Sequence, residues 1–219
     1  MNTNLSAKRI LLYGDSLVFG KASGRNERLD AKTRFSGVLQ DLLGDEFEII
    51  EEGLRARMIE GESAFFPDRD GLQQFSPILG SQLPVDLVVI FLGTNDCNAK
   101  AQKTPQDIAA SLRKYPPIIQ EWCTFMAVPL PKLLIIAPPA IDQTSYDEPA
   151  RNIFGSEAAS KAEALPAQYA LVAKELGAIF FDSSAVCKPA TGDGIHLDEA
   201  NNQSLANALE EVIRQALGA

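Results

Sequence analysis

The run Leu87-Val88-Val89-Ile90-Phe91-Leu92, closed by Gly93, is the tightest constraint on this chain. A stretch that apolar has no polar face to turn to water, so it reads as a strand buried on both sides, as a central parallel strand is. Ile10–Tyr13, Phe47–Ile50, Leu133–Ala137 and Ala178–Phe181 also have strand length and are closed by turn residues. Between them the spacing is helical. Phe35, Val38, Leu39, Leu42 and Leu43 share one helix face, and Leu205, Ala208, Leu209, Val212, Ile213, Ala216 and Leu217 follow the i, i+3, i+4, i+7 stripe. Thr104-Pro105 with Asp107 is a helix start, and Pro116-Pro117 breaks or kinks that helix, whose buried face Trp122, Phe125 and Met126 are expected to continue. Strand–helix alternation of this kind predicts an α/β fold, a three-layer αβα sandwich around a five-stranded parallel sheet. No linker or repeat divides the 219 residues, so 1–219 reads as a single domain.

Composition narrows the partners. Hydrophobic residues make up 46% and charged residues 22%, enough for a core and too apolar for a disordered tail. Twenty Lys and Arg against 29 Asp and Glu leave a charge of -9, which repels phosphate backbones and anionic lipid. The expected partner is therefore a small molecule, with no nucleic acid and no membrane. Cys97, Cys123 and Cys187 lie far apart, and there is one histidine, so neither a disulfide framework nor a metal site is expected. No cofactor is called for. The apolar run near the N-terminus is too short for a signal segment, and nothing approaches the roughly 20 apolar residues of a membrane span. The expectation is a cytoplasmic protein.

In open parallel sheets the ligand crevice lies at the carboxyl ends of the strands. After the first strand comes Gly14-Asp15-Ser16-Leu17, after the second Glu51-Glu52-Gly53, after the third Gly93-Thr94-Asn95-Asp96. Asp193-Gly194-Ile195-His196 precedes the last helix. Taken singly, each reads as turn or cap chemistry. Together they bring a serine, a glycine, an asparagine and an Asp-x-x-His to one rim. A serine hydroxyl is a weak nucleophile until an imidazole takes its proton, and the imidazole needs a carboxylate to fix its tautomer. With a single histidine in the chain, that base has to be His196, paired with Asp193. The backbone N–H groups of Ser16 and Gly53 and the amide of Asn95 are the candidate oxyanion donors. Glycine at 53 is expected to let the main chain approach the substrate.

These motifs, in this order and over nearly the whole chain, resemble the SGNH (GDSL-type) serine hydrolases. Glu51–Arg57, Leu92–Asp96 and Asp193–Asn202 are similar in particular to the mycobacterial acyltransferase-type arylesterases. Many members carry Asn-x-Gly where this chain has Glu51-Glu52-Gly53; Glu51 fits the acyltransferase-like branch. The resemblance implies a flavodoxin-like sheet, Ser16 as nucleophile with Asp193 and His196, and Ser16, Gly53 and Asn95 as the oxyanion hole. It further implies hydrolysis of small short-acyl esters, aryl esters included, with acyl transfer to alcohols or peroxide. A closed homo-oligomer, possibly an octamer, is implied as well, with the insertion 54–83 as an interface. A carbohydrate-ester deacetylase is the alternative, and a thioesterase or lysophospholipase a weaker one.

Other readings compete. Gly14 to Lys21 almost spells a phosphate-binding loop, but five residues separate its glycines and Ala22 stands where a Ser or Thr would hold magnesium. A flavin-binding or receiver-like module on the same fold is the non-enzymatic alternative. The long connections 54–83 and 138–157 are expected to build a site or an interface, with Phe65, Phe66 and Phe75 as apolar walls or core.

Overall fold

The fold is described from a computed structural model covering residues 2–63 and 66–218. Five strands, β1 Lys8–Gly14, β2 Phe47–Gly53, β3 Leu87–Phe91, β4 Lys132–Ala137 and β5 Ile179–Asp182, form one sheet in the order β2-β1-β3-β4-β5. All neighbours are parallel, and this is the flavodoxin-like order. Strands β1 and β2 run longer than their apolar runs, to Gly14 and Gly53, because their pairing continues through Leu12↔Glu51 and Tyr13↔Glu52. The polar residues there are tolerable because β2 is an edge strand and only half-buried.

Alternate residues of each strand face opposite layers. Leu11, Tyr13, Val88, Ile90 and Ile135 pack beneath α3 (Gly71–Gln82), α4 (Pro105–Ser111), α5 (Tyr115–Met126) and α7 (Ala158–Leu176). Ile10, Leu12, Val89, Phe91 and Ile136 face α2 (Phe35–Leu43) and α8 (Glu199–Leu217). The connection 54–83 contains α3, and 138–157 contains α6 (Glu148–Phe154). No helix among the described residues is long and apolar enough to cross a membrane.

Two local expectations need correction. Thr104 and Asp107 do form a reciprocal cap at the start of α4. Pro116 and Pro117, however, lie in the first turn of α5, where missing N–H groups cost nothing. Helix α5 then buries Tyr115, Ile119 and Cys123, and that phase turns Phe125 outward to 80% exposure, with Met126 exposed as well. Phe75 is core: its ring meets Tyr13 at 5.1 Å and Tyr115 at 4.9 Å. Phe65 lies outside the described residues.

Helix α2 has no side-chain cap of its own. The N–H of Phe35 donates instead to Asn202 Oδ1 at 3.0 Å, and the Asn202 amide donates to the Asp198 carbonyl at 2.9 Å. One buried asparagine thus joins α2 to α8. We expect Asn202→Ala to cost about 1–3 kcal/mol, because it strands a buried N–H. Urea unfolding reads this; a loss below a few tenths of a kcal/mol contradicts it.

Candidate active site

The sheet order reverses at β1, so its carboxyl end and that of β3 flank the switch point. Strand β1 stops at Gly14, and Asp15 caps the one-turn helix α1 (Ser16–Phe19) by accepting the Leu17 N–H at 2.9 Å. Gly20, at φ 77°, ends that turn in the left-handed region. Ser16 is thereby fixed at the strand end, and its Oγ lies 2.9 Å from His196 Nε2.

His196 arrives from the far end of the chain on a turn made by Asp193. The Asp193 Oδ1 accepts the N–H groups of Ile195 at 3.0 Å and His196 at 2.9 Å. Gly194 turns at φ 71°, and its carbonyl accepts the Asp142 N–H at 2.8 Å, pinning the turn to the loop after β4. The other carboxylate oxygen, Oδ2, lies 2.7 Å from His196 Nδ1. The structure therefore sets Ser16, His196 and Asp193 in one hydrogen-bonded row.

The loop after α1 completes the surroundings of Asp193. Ser23 Oγ donates to Oδ1 at 3.1 Å, and the Gly24 N–H donates to Oδ2 at 3.0 Å. Lys21 Nζ donates to Oδ2 at 3.1 Å and lies 3.4 Å from His196 Nδ1. The lysine that made 14–21 look like a phosphate loop is thus spent on a carboxylate.

Gly53 and Asn95 come to the same rim. Gly53 pairs with Gly14 at the end of β2. A Cβ there would stand 2.2 Å from the Phe19 nitrogen, so glycine lets α1 pack on β2 rather than clearing a path for substrate. The Asn95 amide donates to Asp15 Oδ2 at 3.2 Å and to the Arg57 carbonyl at 3.1 Å. Arg57 closes the Glu51–Arg57 motif, which gave it no role. It is 3% exposed, and its guanidinium lies 4.1 Å from the Tyr13 ring centroid. Its Nη1 donates to the carbonyls of Gly14 at 2.7 Å and Glu52 at 2.5 Å. It thus holds the peptide whose N–H belongs to Gly53, while its own carbonyl holds Asn95. Glu51 stands apart from the row, taking Arg34 at 2.7 and 2.8 Å, Arg28 at 3.2 Å, and Ser36.

Burial pushes the Asp193 carboxyl up, but the His196 hydrogen bond and charge and two backbone N–H groups outweigh it. The carboxyl is held well below its ordinary range. For His196, burial lowers the pKa, Asp193 raises it, and the charges of Lys21 and Arg55 lower it again; the balance falls below the ordinary value. Asp15 is pushed up to about 7, chiefly by burial. Among the described residues no three His, Cys, Asp or Glu side chains gather as a metal site.

Ser16, Asn95 and His196 open on a cleft of about 380 Å³, whose lining also includes the apolar Phe66, Ile153 and Phe154. A parallel α/β sheet with such a cleft at its strand ends defines the class, and comparison gives the family. Residues 10–209 match the GDSL-like lipase/acylhydrolase family; the chain belongs to it and is an ester hydrolase. The M. smegmatis aryl esterase structure is 35% identical, with a TM-score of 0.91 over 96% of this chain and 100% of that one. Est24, a carbohydrate acetylesterase from Sinorhizobium meliloti, is 29% identical, with a TM-score of 0.89 over 95% and 99%. No curated protein gives a significant match.

The site's electrostatics make a signed prediction. Removing the Lys21 charge takes a cation from beside His196 and leaves Asp193 freer to stabilise imidazolium, so both effects raise the histidine pKa. Lys21→Met should therefore move the acid limb of kcat/KM to higher pH by about half a unit or more. A limb that stays in place or moves down contradicts this assignment.

Proposed function

We propose that this chain is a serine esterase that cleaves small short-acyl esters, aryl esters included, through an acyl-enzyme on Ser16. The observation that carries the reading is the row Ser16 Oγ–His196 Nε2 at 2.9 Å and His196 Nδ1–Asp193 Oδ2 at 2.7 Å on the floor of the cleft. Nδ1–H donates to Asp193, which leaves Nε2 as the acceptor for the serine proton. As Oγ attacks the ester carbon, that proton passes to Nε2, and the carbonyl oxygen becomes the oxyanion. The N–H groups of Ser16 and Gly53 and the Asn95 amide receive it. The two present acceptors of Asn95 stand at 3.1 and 3.2 Å, the long end for such bonds, so an oxyanion is the stronger partner. His196 then returns the proton to the departing alcohol, and water, an alcohol or peroxide takes the acyl group from Ser16.

The aryl esterase likeness favours aryl esters. Deacetylation of sugar esters is the second reading, supported by the likeness to Est24. Acetyl, butyryl and octanoyl aryl esters assayed beside acetylated sugars distinguish the two.

Ser16→Ala should abolish turnover of an aryl acetate while leaving the melting curve in place; turnover like that of the parent ends the reading. Asn95→Ala should lower kcat by roughly two to three orders of magnitude, the usual cost of one oxyanion donor. Unchanged kcat with lost stability would reduce Asn95 to a turn residue.

A further inference from the structure

The cleft has a mixed lining. Besides Phe66, Ile153 and Phe154 it holds three cations, Lys21, Arg25 and Arg55, against two carboxylates, Asp147 and Asp193. This is an unexpected balance in a chain whose net charge is -9. Most of these charges have partners. Lys21 is bound to Asp193, which also takes His196. Arg25 pairs with Glu27 at 3.3 Å. Asp147 caps α6 by accepting the Ala150 N–H at 2.8 Å.

Arg55 is different. It is half-buried at the cleft, and its one side-chain hydrogen bond among the described residues runs from Nη1 to the neutral Asn26 Oδ1 at 2.6 Å. No carboxylate among the described residues pairs with it. Guanidinium offers five N–H donors in a fixed fork that matches a carboxylate. Arg57 and Arg69 nearby each spend three hydrogen bonds on side-chain or main-chain oxygens, and Arg55 spends one. Its field reaches the site, because its charge is among those that depress the His196 pKa.

We infer that the preferred substrate is an anionic ester, one bearing a carboxylate or a like group, and that Arg55 binds that group while the ester carbonyl meets Ser16. The inference rests on the esterase reading above and names its substrate class. Phe66, Ile153 and Phe154 take the hydrocarbon part, and Arg55 takes the charge that the rest of an acidic protein repels. Charge-assisted, bidentate geometry is what makes an arginine select carboxylates over neutral groups of the same shape.

Two matched pairs of probes test this at pH 8, where the imidazole is neutral and the carboxylates are ionised. They are 4-carboxyphenyl acetate against 4-carbamoylphenyl acetate, and monoethyl succinate against ethyl butyrate. Each kcat/KM is divided by the probe's own hydroxide rate, and the anionic-to-neutral ratio is read within one preparation, so the active fraction cancels. The parent should favour the anionic member of at least one pair by about tenfold, and the pair that responds tells whether the anion lies on the alcohol or the acyl side. Arg55→Gln should bring that ratio down toward one, and Arg55→Lys should keep part of it. Ratios near one in both pairs for the parent overturn the inference while the esterase reading stands. A preference that survives Arg55→Gln removes Arg55 from the role and overturns it equally. If no probe is turned over, the esterase reading itself fails and the inference falls with it.

Discussion

The Asp193 carboxylate is where the two ends of the chain are tied together. Its Oδ1 closes the turn that presents His196, while Oδ2, 2.7 Å from Nδ1, orients the imidazole. Lys21, Ser23 and Gly24, from the loop that follows the nucleophile's helix, bind the same two oxygens. One carboxylate thus fixes the imidazole against Ser16 and also fixes the segment that carries Ser16. Buried as it is, it keeps its charge only because so many donors converge on it. A neutral amide in its place would supply the wrong donor pattern to the imidazole and one fewer charge to Lys21.

The sheet supplies what Asp193 cannot. Gly14, Gly53 and Gly93 all stand at carboxyl ends of adjacent parallel strands, so three loops arrive on one side without any long-range device. Arg57 then locks the rim from below, stacked on Tyr13 and bonded to two strand-end carbonyls. Its carbonyl accepts the Asn95 amide, and its guanidinium holds the Glu52 carbonyl, which belongs to the same peptide as the Gly53 N–H. The backbone of the rim is therefore set before any substrate enters, and only the Asn95 amide has to leave a present acceptor to meet the oxyanion.

Much of this was legible in the sequence because the strongest signals were local. Apolar runs closed by turn residues placed all five strands, and strand-end motifs pointed to Ser16, Asn95, Asp193 and His196, which line one cleft, and to Gly53, which stands at the end of β2 and is not part of that lining. The misreadings have physical causes. Phe125 and Met126 are apolar, but the phase of α5 is set by Tyr115, Ile119 and Cys123, which a broken helix hides. Gly53 serves the packing of α1, a contact between segments that no motif encodes. Lys21 carried a signal but suggested the wrong ligand, since nothing local tells a lysine that its partner lies at Asp193. Arg57 lay inside the Glu51–Arg57 motif but no role could be read for it there: its value lies in two carbonyls and one ring brought together by the fold.

The most direct measurement uses the fact that the chain has one histidine, so every imidazole resonance belongs to His196. The ¹⁵N shifts of that ring, followed against pH in the free protein, give its pKa without assignment. The acid limb of kcat/KM gives the pKa of the group that takes the serine proton. If His196 is that group, the two midpoints coincide, and both fall below the ordinary histidine value of about 6.5. Midpoints that differ by more than about one unit, with binding and chemistry resolved, would mean that His196 is not the base.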